Sequence, residues 1–292
     1  ERLGGRRVPD KYRGSRDRRA VAVENRGAVA VASLRDARAS LLADSTVRGA
    51  QFGLSYAELL DITLRKLYAP PAARARVALV ALGSYGRREL CPGSDIDVML
   101  LHDAKPRALP AVRELAERLW YPLWDANLVT GHATRTVKES LALADDDLAA
   151  LTAIVEARHV AGDAGLTREL VERARQLVVR RRERVVDALA GAAERRRVRP
   201  GPVAEVLEPD LKNGAGGLRD LQALEWGGYA LGGDGLAGLL TRGVLSDDDA
   251  RRLAAGRAGL LDLRVTLHRI TGGRSDQLAL QEQDAVAAAV GA

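Results

Sequence analysis

The sequence predicts an α+β fold in which a small mixed-sheet unit is followed by an all-helical one. Two observations carry this. Strand-like apolar runs are confined to residues 76–137, and beyond them only helical periodicity persists, above all in "LTRELVERARQLVVRRRERVVDALAGAAERRR". A length of 292 residues is enough for two modest cores. The chain is therefore divided into a basic, partly disordered arm (1–50), a sheet-bearing unit (51–150) and a helical unit (151–292).

In order, residues 1–26 mix basic charge with Gly and Pro and lack periodicity, which reads as a mobile arm, with an RNA-binding tail as the functional alternative. "SYAELLDITLRKLY" places Leu59, Leu60, Ile62, Thr63 and Leu67 at helical spacing, with Ser55 and Glu58 in a capping-box pattern, and "APPAAR" ends it. "RVALVALGS", "DIDVMLLH" and "NLVTGHATRTV" read as strands, with "LPAVRELAERLWYPLWD" a helix between the last two. The long helical run that follows is interrupted only at Gly191 and closed by "VRPGP". The glycine-rich "KNGAGGLRD" is a loop, and helices continue through "DDDARRLAAGRAGLLDLRVTLHRI".

Composition narrows the function. A net charge of +6 suits an anionic partner, although much of the excess lies in the first 26 residues. The single cysteine, Cys91, excludes an internal disulfide, and one thiol with four histidines is too few for a usual structural zinc site, so a reducing, cytoplasmic setting is expected. No run of 18 apolar residues occurs and the arginine-rich start has no apolar signal core, so no membrane association is expected.

Chemistry concentrates in "GSYGRRELCPGSDIDVMLL", Gly83 to Leu101. Asp95 and Asp97 are two apart on a strand and project from one face. Uncompensated burial of both would cost several kcal/mol or force a proton onto one. A divalent cation relieves that conflict: magnesium takes oxygen ligands and relies on carboxylates together with substrate phosphates. Gly83 and Ser84 follow an apolar strand, where glycine lets backbone approach a phosphate and the Ser84 hydroxyl helps hold it. Gly86 keeps the turn open, and Arg87 and Arg88 neutralise phosphoryl charge. Alone, each piece is an ordinary turn or a solvated pair; in this order between two buried strands they form one phosphate-and-metal device.

At these residues the chain resembles the polymerase-beta-type nucleotidyltransferase superfamily, whose signature is Gly-Ser followed about ten residues later by Asp-x-Asp. More narrowly it is similar to the N-terminal part of the bacterial bifunctional uridylyltransferase/uridylyl-removing enzymes that modify the PII nitrogen-signalling protein. "LWDANLVTGHATRTVKES", "EPDLKNGAGGLRDLQALEW" and "LRVTLHRITGGRSDQLALQEQDAVAAAVG" extend the likeness over roughly 55–291. The resemblance implies a polymerase-beta-like fold, with Gly83 and Ser84 on a triphosphate and Asp95 and Asp97 holding Mg2+. It also implies transfer of UMP from UTP, or AMP from ATP, to a PII hydroxyl. Family members continue into a hydrolase domain and two sensing domains, and the chain stops about where the hydrolase begins. His102-Asp103 ends the Asp-x-Asp strand without the companions a hydrolase metal pair needs. "NLVTGHATRTV" lacks the third carboxylate usual in such sites, leaving Asp125, Asp147 and Glu156 as candidates.

Lys212 and Arg219, in "LKNGAGGLRD", either flank a plain inter-helix turn with positive φ at Gly216-Gly217 or reach nucleotide phosphates or the PII loop across a domain cleft. His132 is expected to be half-buried, with facing the nucleotide as the alternative, Trp120 and Trp124 to be core, and the arginine runs 180–184 and 194–197 to be a solvated helix face, with a dock for an acidic partner as the alternative. Two other functions compete: nucleotide addition to RNA ends, which lacks an aromatic-basic platform, and non-catalytic nucleotide binding.

Overall fold

The computed structural model describes residues 18–70, 75–126 and 128–291; the side chains of residues 18–28 and 31 lie outside that description. In chain order, α1 (Arg18–Ala43) and α2 (Gly49–Leu67) precede β1 (Val77–Ala81), a one-turn helix α3 (Gly83–Gly86), β2 (Ile96–His102), α4 (Leu109–Asp125) and β3 (Thr130–Arg135). Then come α5 (Val137–Asp146), α6 (Leu148–Val155) and β4 (Arg158–Gly162). Six helices follow: α7 (Ala164–Arg180), α8 (Arg182–Val198), α9 (Leu218–Ala230), α10 (Gly235–Thr241), α11 (Asp247–Thr271) and α12 (Leu280–Val290). This is the expected α+β arrangement, with a small mixed sheet among many helices. No described helix is long and apolar enough to cross a membrane.

The sheet runs β3-β2-β1-β4, with β1 antiparallel to both neighbours and β2 parallel to β3. The two central strands are covered on both faces, which is why they read as nearly continuous apolar runs. Leu79, Ala81, Val98 and Leu100 pack on one side with Phe52, Tyr56, Leu60 and Leu64 of α2 and with Val112, Leu115 and Leu119 of α4. Ala78, Val80, Met99 and Leu101 pack on the other with Ile154 of α6, Leu166 and Leu170 of α7, and Trp226 of α9. Alternation along β2 thus sets Asp97 on the α6–α9 side, at the strand's open end.

Four expectations change. Residues 18–43 of the anticipated arm form α1, whose Leu34 joins the α2 core and whose Arg38 Nε donates to Tyr56 Oη at 3.0 Å; residues 1–17 lie outside the described residues. The α2 helix begins at Gly49, so Ser55 and Glu58 sit inside it and form no capping box. Its apolar stripe Phe52-Tyr56-Leu60-Leu64 extends upstream of Ser55, and packing prevails over the local cap signal. Strand β4 lies beyond the last expected strand; "RHVAG" offers one fully buried side chain, Val160, and is recruited by β1's free edge. The long helical run breaks at Arg181, whose guanidinium is held by Asp145 of α5 at 2.9 and 3.0 Å, and not at Gly191, which continues α8.

Candidate active site

β1 ends at Ala81, and the chain turns through Gly83, at φ 54°, into α3. The Leu82 N–H donates to the Asp97 carbonyl at 2.9 Å, which ties this turn to the start of β2. A Cβ on Gly83 would lie 3.2 Å from Asp97 Oδ2, and one on Gly131, directly across the β2/β3 register, would overlap Asp97 Oδ1. The Asp97 carboxylate therefore occupies a cradle between two glycines that any side chain would fill. Among the described residues it has no hydrogen bond or ion pair. Burial pushes its pKa above the usual range, while Lys212 and Arg87 pull the other way. Asp95 stands two residues earlier, half exposed, and pairs with Arg274.

A cavity of about 900 Å³ opens from this point. Gly83, Ser84, Asp95 and Asp97 form one end, and α6, α8 and α9 supply the far walls through Thr152, Leu189 and Trp226. Eight basic side chains line it against four acidic ones, so it favours a polyanion.

Seven of the eight residues singled out from the sequence meet there: Gly83, Ser84, Arg87, Asp95, Asp97, Lys212 and Arg219. Gly86 does not. It is buried, and a Cβ on it would come within 2.8 Å of the Glu156 carbonyl and 3.0 Å of that of Ala81, so it permits close packing and does not open the turn. Arg87 reaches the cavity already engaged, with Glu89 at 2.8 Å and Glu156 at 2.7 Å. Arg88 is turned away, 3.9 Å from Asp61. Lys212 and Arg219 are less committed. Lys212 Nζ lies 3.9 Å from Asp276, and Arg219 donates to Gln222 Oε1 at 2.9 Å and lies over the Trp226 ring. Burial lowers the pKa of both, so an anion arriving between them would relieve an unfavourable concentration of charge. Of Gly216 and Gly217, both expected at positive φ, only Gly216 takes it.

None of the three candidate third carboxylates lines the cavity. Asp125 is exposed at the end of α4, Asp147 caps α6 through the Ala149 N–H, and Glu156 is bound to Arg87. β3 puts Gly131 opposite Asp97, so the adjacent strand contributes no acid. The other two cavity carboxylates are occupied: Glu89 by Arg87 and Arg257, Asp276 by Arg264 and His268. His132 pairs in register with Val98 and faces α4, exposed, against Trp120 and Trp124 at 5.6 and 5.2 Å. Trp120 is core, but Trp124 lies largely at the surface and donates to Thr130. His102 and Asp103 sit at the far end of β2, where Asp103 pairs with Arg76 at 2.7 Å.

The basic wall formed by Arg195, Arg196 and Arg199, with Arg264 and Arg274, escaped the sequence reading. Its signal is spacing: Leu189, Ala192 and Arg196 recur at three and four residues and share one face of α8, with Arg199 just past the helix end. Within the run 194–197, Arg195 and Arg196 line the cavity, while Glu194 and Arg197 stay at the solvated face.

Among the described residues no cluster of three or more His, Cys, Asp or Glu is placed to hold a metal. Two carboxylates, one in a side-chain-free cradle and lacking a partner, are nonetheless a hard oxygen donor set that fits magnesium, an ion that takes its other ligands from water and phosphate.

Comparison with known proteins identifies the family. A family model described as GlnD PII-uridylyltransferase matches residues 184–292, and the DUF294 nucleotidyltransferase model matches 36–128. A bifunctional uridylyltransferase/uridylyl-removing enzyme of Mycobacterium tuberculosis is 43% identical over 216 residues, covering 73% of this chain and 26% of the relative. Those of Streptomyces coelicolor and Thiobacillus denitrificans are 39% and 38% identical over 87% and 88% of this chain, or 29% and 30% of their own length. The chain spans less than a third of these relatives, and over that span it belongs to the family of bifunctional uridylyltransferase/uridylyl-removing enzymes.

Proposed function

We propose that this chain transfers a nucleoside monophosphate from UTP or ATP to a hydroxyl of a PII-type signalling protein, with Mg2+ held by Asp95 and Asp97. The observation that supports it most is the unpartnered Asp97 carboxylate in its glycine cradle, at the mouth of a cavity rich in cations. In the reaction the acceptor oxygen bonds to the α-phosphorus, the bond to the bridging oxygen breaks, pyrophosphate leaves, and the hydroxyl proton passes to solvent. The metal supplies charge neutralisation at the phosphates. Gly83 lets the backbone approach the triphosphate, Ser84 offers a hydroxyl, and Lys212 and Arg219 accept the negative charge that builds on the phosphoryl oxygens. Arg87, fixed by Glu89 and Glu156, orients the turn more than it neutralises substrate.

A second reading, nucleotide binding without turnover, draws on one specific observation: no carboxylate stands beside Asp97 on β3 to deprotonate the acceptor. Incubation with Mg2+, α-labelled UTP or ATP, and either PII protein or RNA separates these. Label on PII that is lost in Asp97→Asn is the expected result. Label on RNA alone overturns the choice of acceptor, and retained nucleotide binding with no label on either supports the second reading.

A further inference from the structure

Arg274 lies in the last of the three segments that extend the family likeness, where the sequence assigns it no role, yet it is the side chain that meets Asp95. The backbone that carries it is firmly anchored. Asp276, two residues on, is held by Arg264 Nε at 2.5 Å and by His268 Nε2 at 3.0 Å, and its carbonyl accepts from the Leu211 N–H at 2.8 Å. His268 Nδ1 accepts from the Gly93 N–H at 3.0 Å, and Arg274 Nε donates to the Gly93 carbonyl at 3.1 Å. The Arg274 side chain leaves this base and lies across the cavity mouth, half exposed, beside an equally exposed Asp95. An ion pair so hydrated is weak, so a divalent cation competes with it easily. Once the carboxylate is taken, the guanidinium is left beside a site that must hold a triphosphate, and its planar fork matches phosphate oxygens.

We infer that Arg274 is a phosphate-binding residue held in reserve on Asp95: it neutralises that carboxylate while the site is empty and turns to the nucleotide's phosphates when a cation replaces it. This rests on the nucleotidyl-transfer reading of the same cavity. It makes Arg274 oppose metal binding and favour nucleotide binding, two effects of opposite sign from one side chain.

The test uses the whole chain, with Mn2+ followed by electron paramagnetic resonance or calorimetry, and UTP and ATP titrated separately in excess Mg2+. In Arg274→Ala, loss of the competing pair is expected to tighten Mn2+ binding without nucleotide by about two- to fivefold. Loss of the charge-assisted contact is expected to weaken nucleotide binding by about tenfold or more. Arg274→Lys, which keeps the charge without the fork, is expected to hold Mn2+ near wild type and recover part of the nucleotide affinity. If wild type binds both probes and Arg274→Ala fails to shift them in opposite directions, the exchange is overturned while the nucleotidyl-transfer reading stands. If wild type binds neither, both fall.

Discussion

The Asp97 carboxyl carries a cost that the proposed function requires. Burial raises its pKa, so the fold prefers the neutral acid: ionisation penalises the empty protein above the folded pKa, and the penalty vanishes as pH falls below the ordinary value of 3.8. Asp97→Asn is therefore expected to raise the melting temperature at neutral pH while abolishing nucleotide transfer, checked by thermal scans beside the labelling assay. Added Mg2+ is expected to stabilise wild type and leave Asp97→Asn unmoved. Asp276 behaves oppositely. Burial works against its charge, but His268 and Arg264 overcome this and hold it well below the usual carboxylate range. Its contribution is complete above pH 3.8 and lost as pH falls further, so Asp276→Asn is expected to lower stability at pH 7, measured by urea unfolding. Gly131→Ala should displace Asp97 and remove transfer with little change in secondary structure by circular dichroism. Most of this site was legible, because Gly83, Ser84, Asp95 and Asp97 lie close together in sequence. Gly131 was not: its role is to be empty opposite Asp97, a property of strand register that only the fold supplies.

Between elements, the buried carboxylate of Asp61 joins α2 to the sheet and to α3. It accepts from Arg158 of β4 at 2.7 and 3.0 Å and from the Tyr85 hydroxyl of α3 at 2.6 Å. Removing one partner of such a cluster strands the rest, so Asp61→Ala is expected to cost about 3–5 kcal/mol in denaturant unfolding. Because Tyr85 adjoins Ser84, transfer should also fall before global unfolding begins. Elements with strong periodicity, such as β1, β2 and α4, could be read directly from the chain. β4 could not, since Arg158 and His159 are polar in sequence and Arg158 is held by Asp61, 97 residues earlier. The break at Arg181 was hidden for the same reason: it depends on Asp145, 36 residues earlier, whereas Gly191 is the kind of interruption a helix tolerates at about 1 kcal/mol.

At the scale of the molecule, the sheet-bearing and helical parts share both their cores and their cavity. Trp226 of α9 packs beneath Val80 and Met99, Arg257 of α11 pairs with Glu89 at 2.5 Å, and His268 supports Gly93 beside the aspartates. Arg48, ahead of α2, is held by Asp262 of α11 at 3.1 and 2.5 Å. A fragment ending at residue 150 would lack β4, exposing the full edge of β1, and would leave Ala78, Val80, Met99 and Leu101 without the α7 and α9 side chains that cover them. Burial of that apolar face is the dominant stabilising term for the sheet. Residues 29–150 expressed alone are therefore expected to aggregate or bind hydrophobic dye, whereas residues 29–292 unfold in one cooperative transition. Sedimentation and calorimetry distinguish the outcomes, and a monomeric, cooperatively folding 29–150 fragment would show that the sheet unit is autonomous.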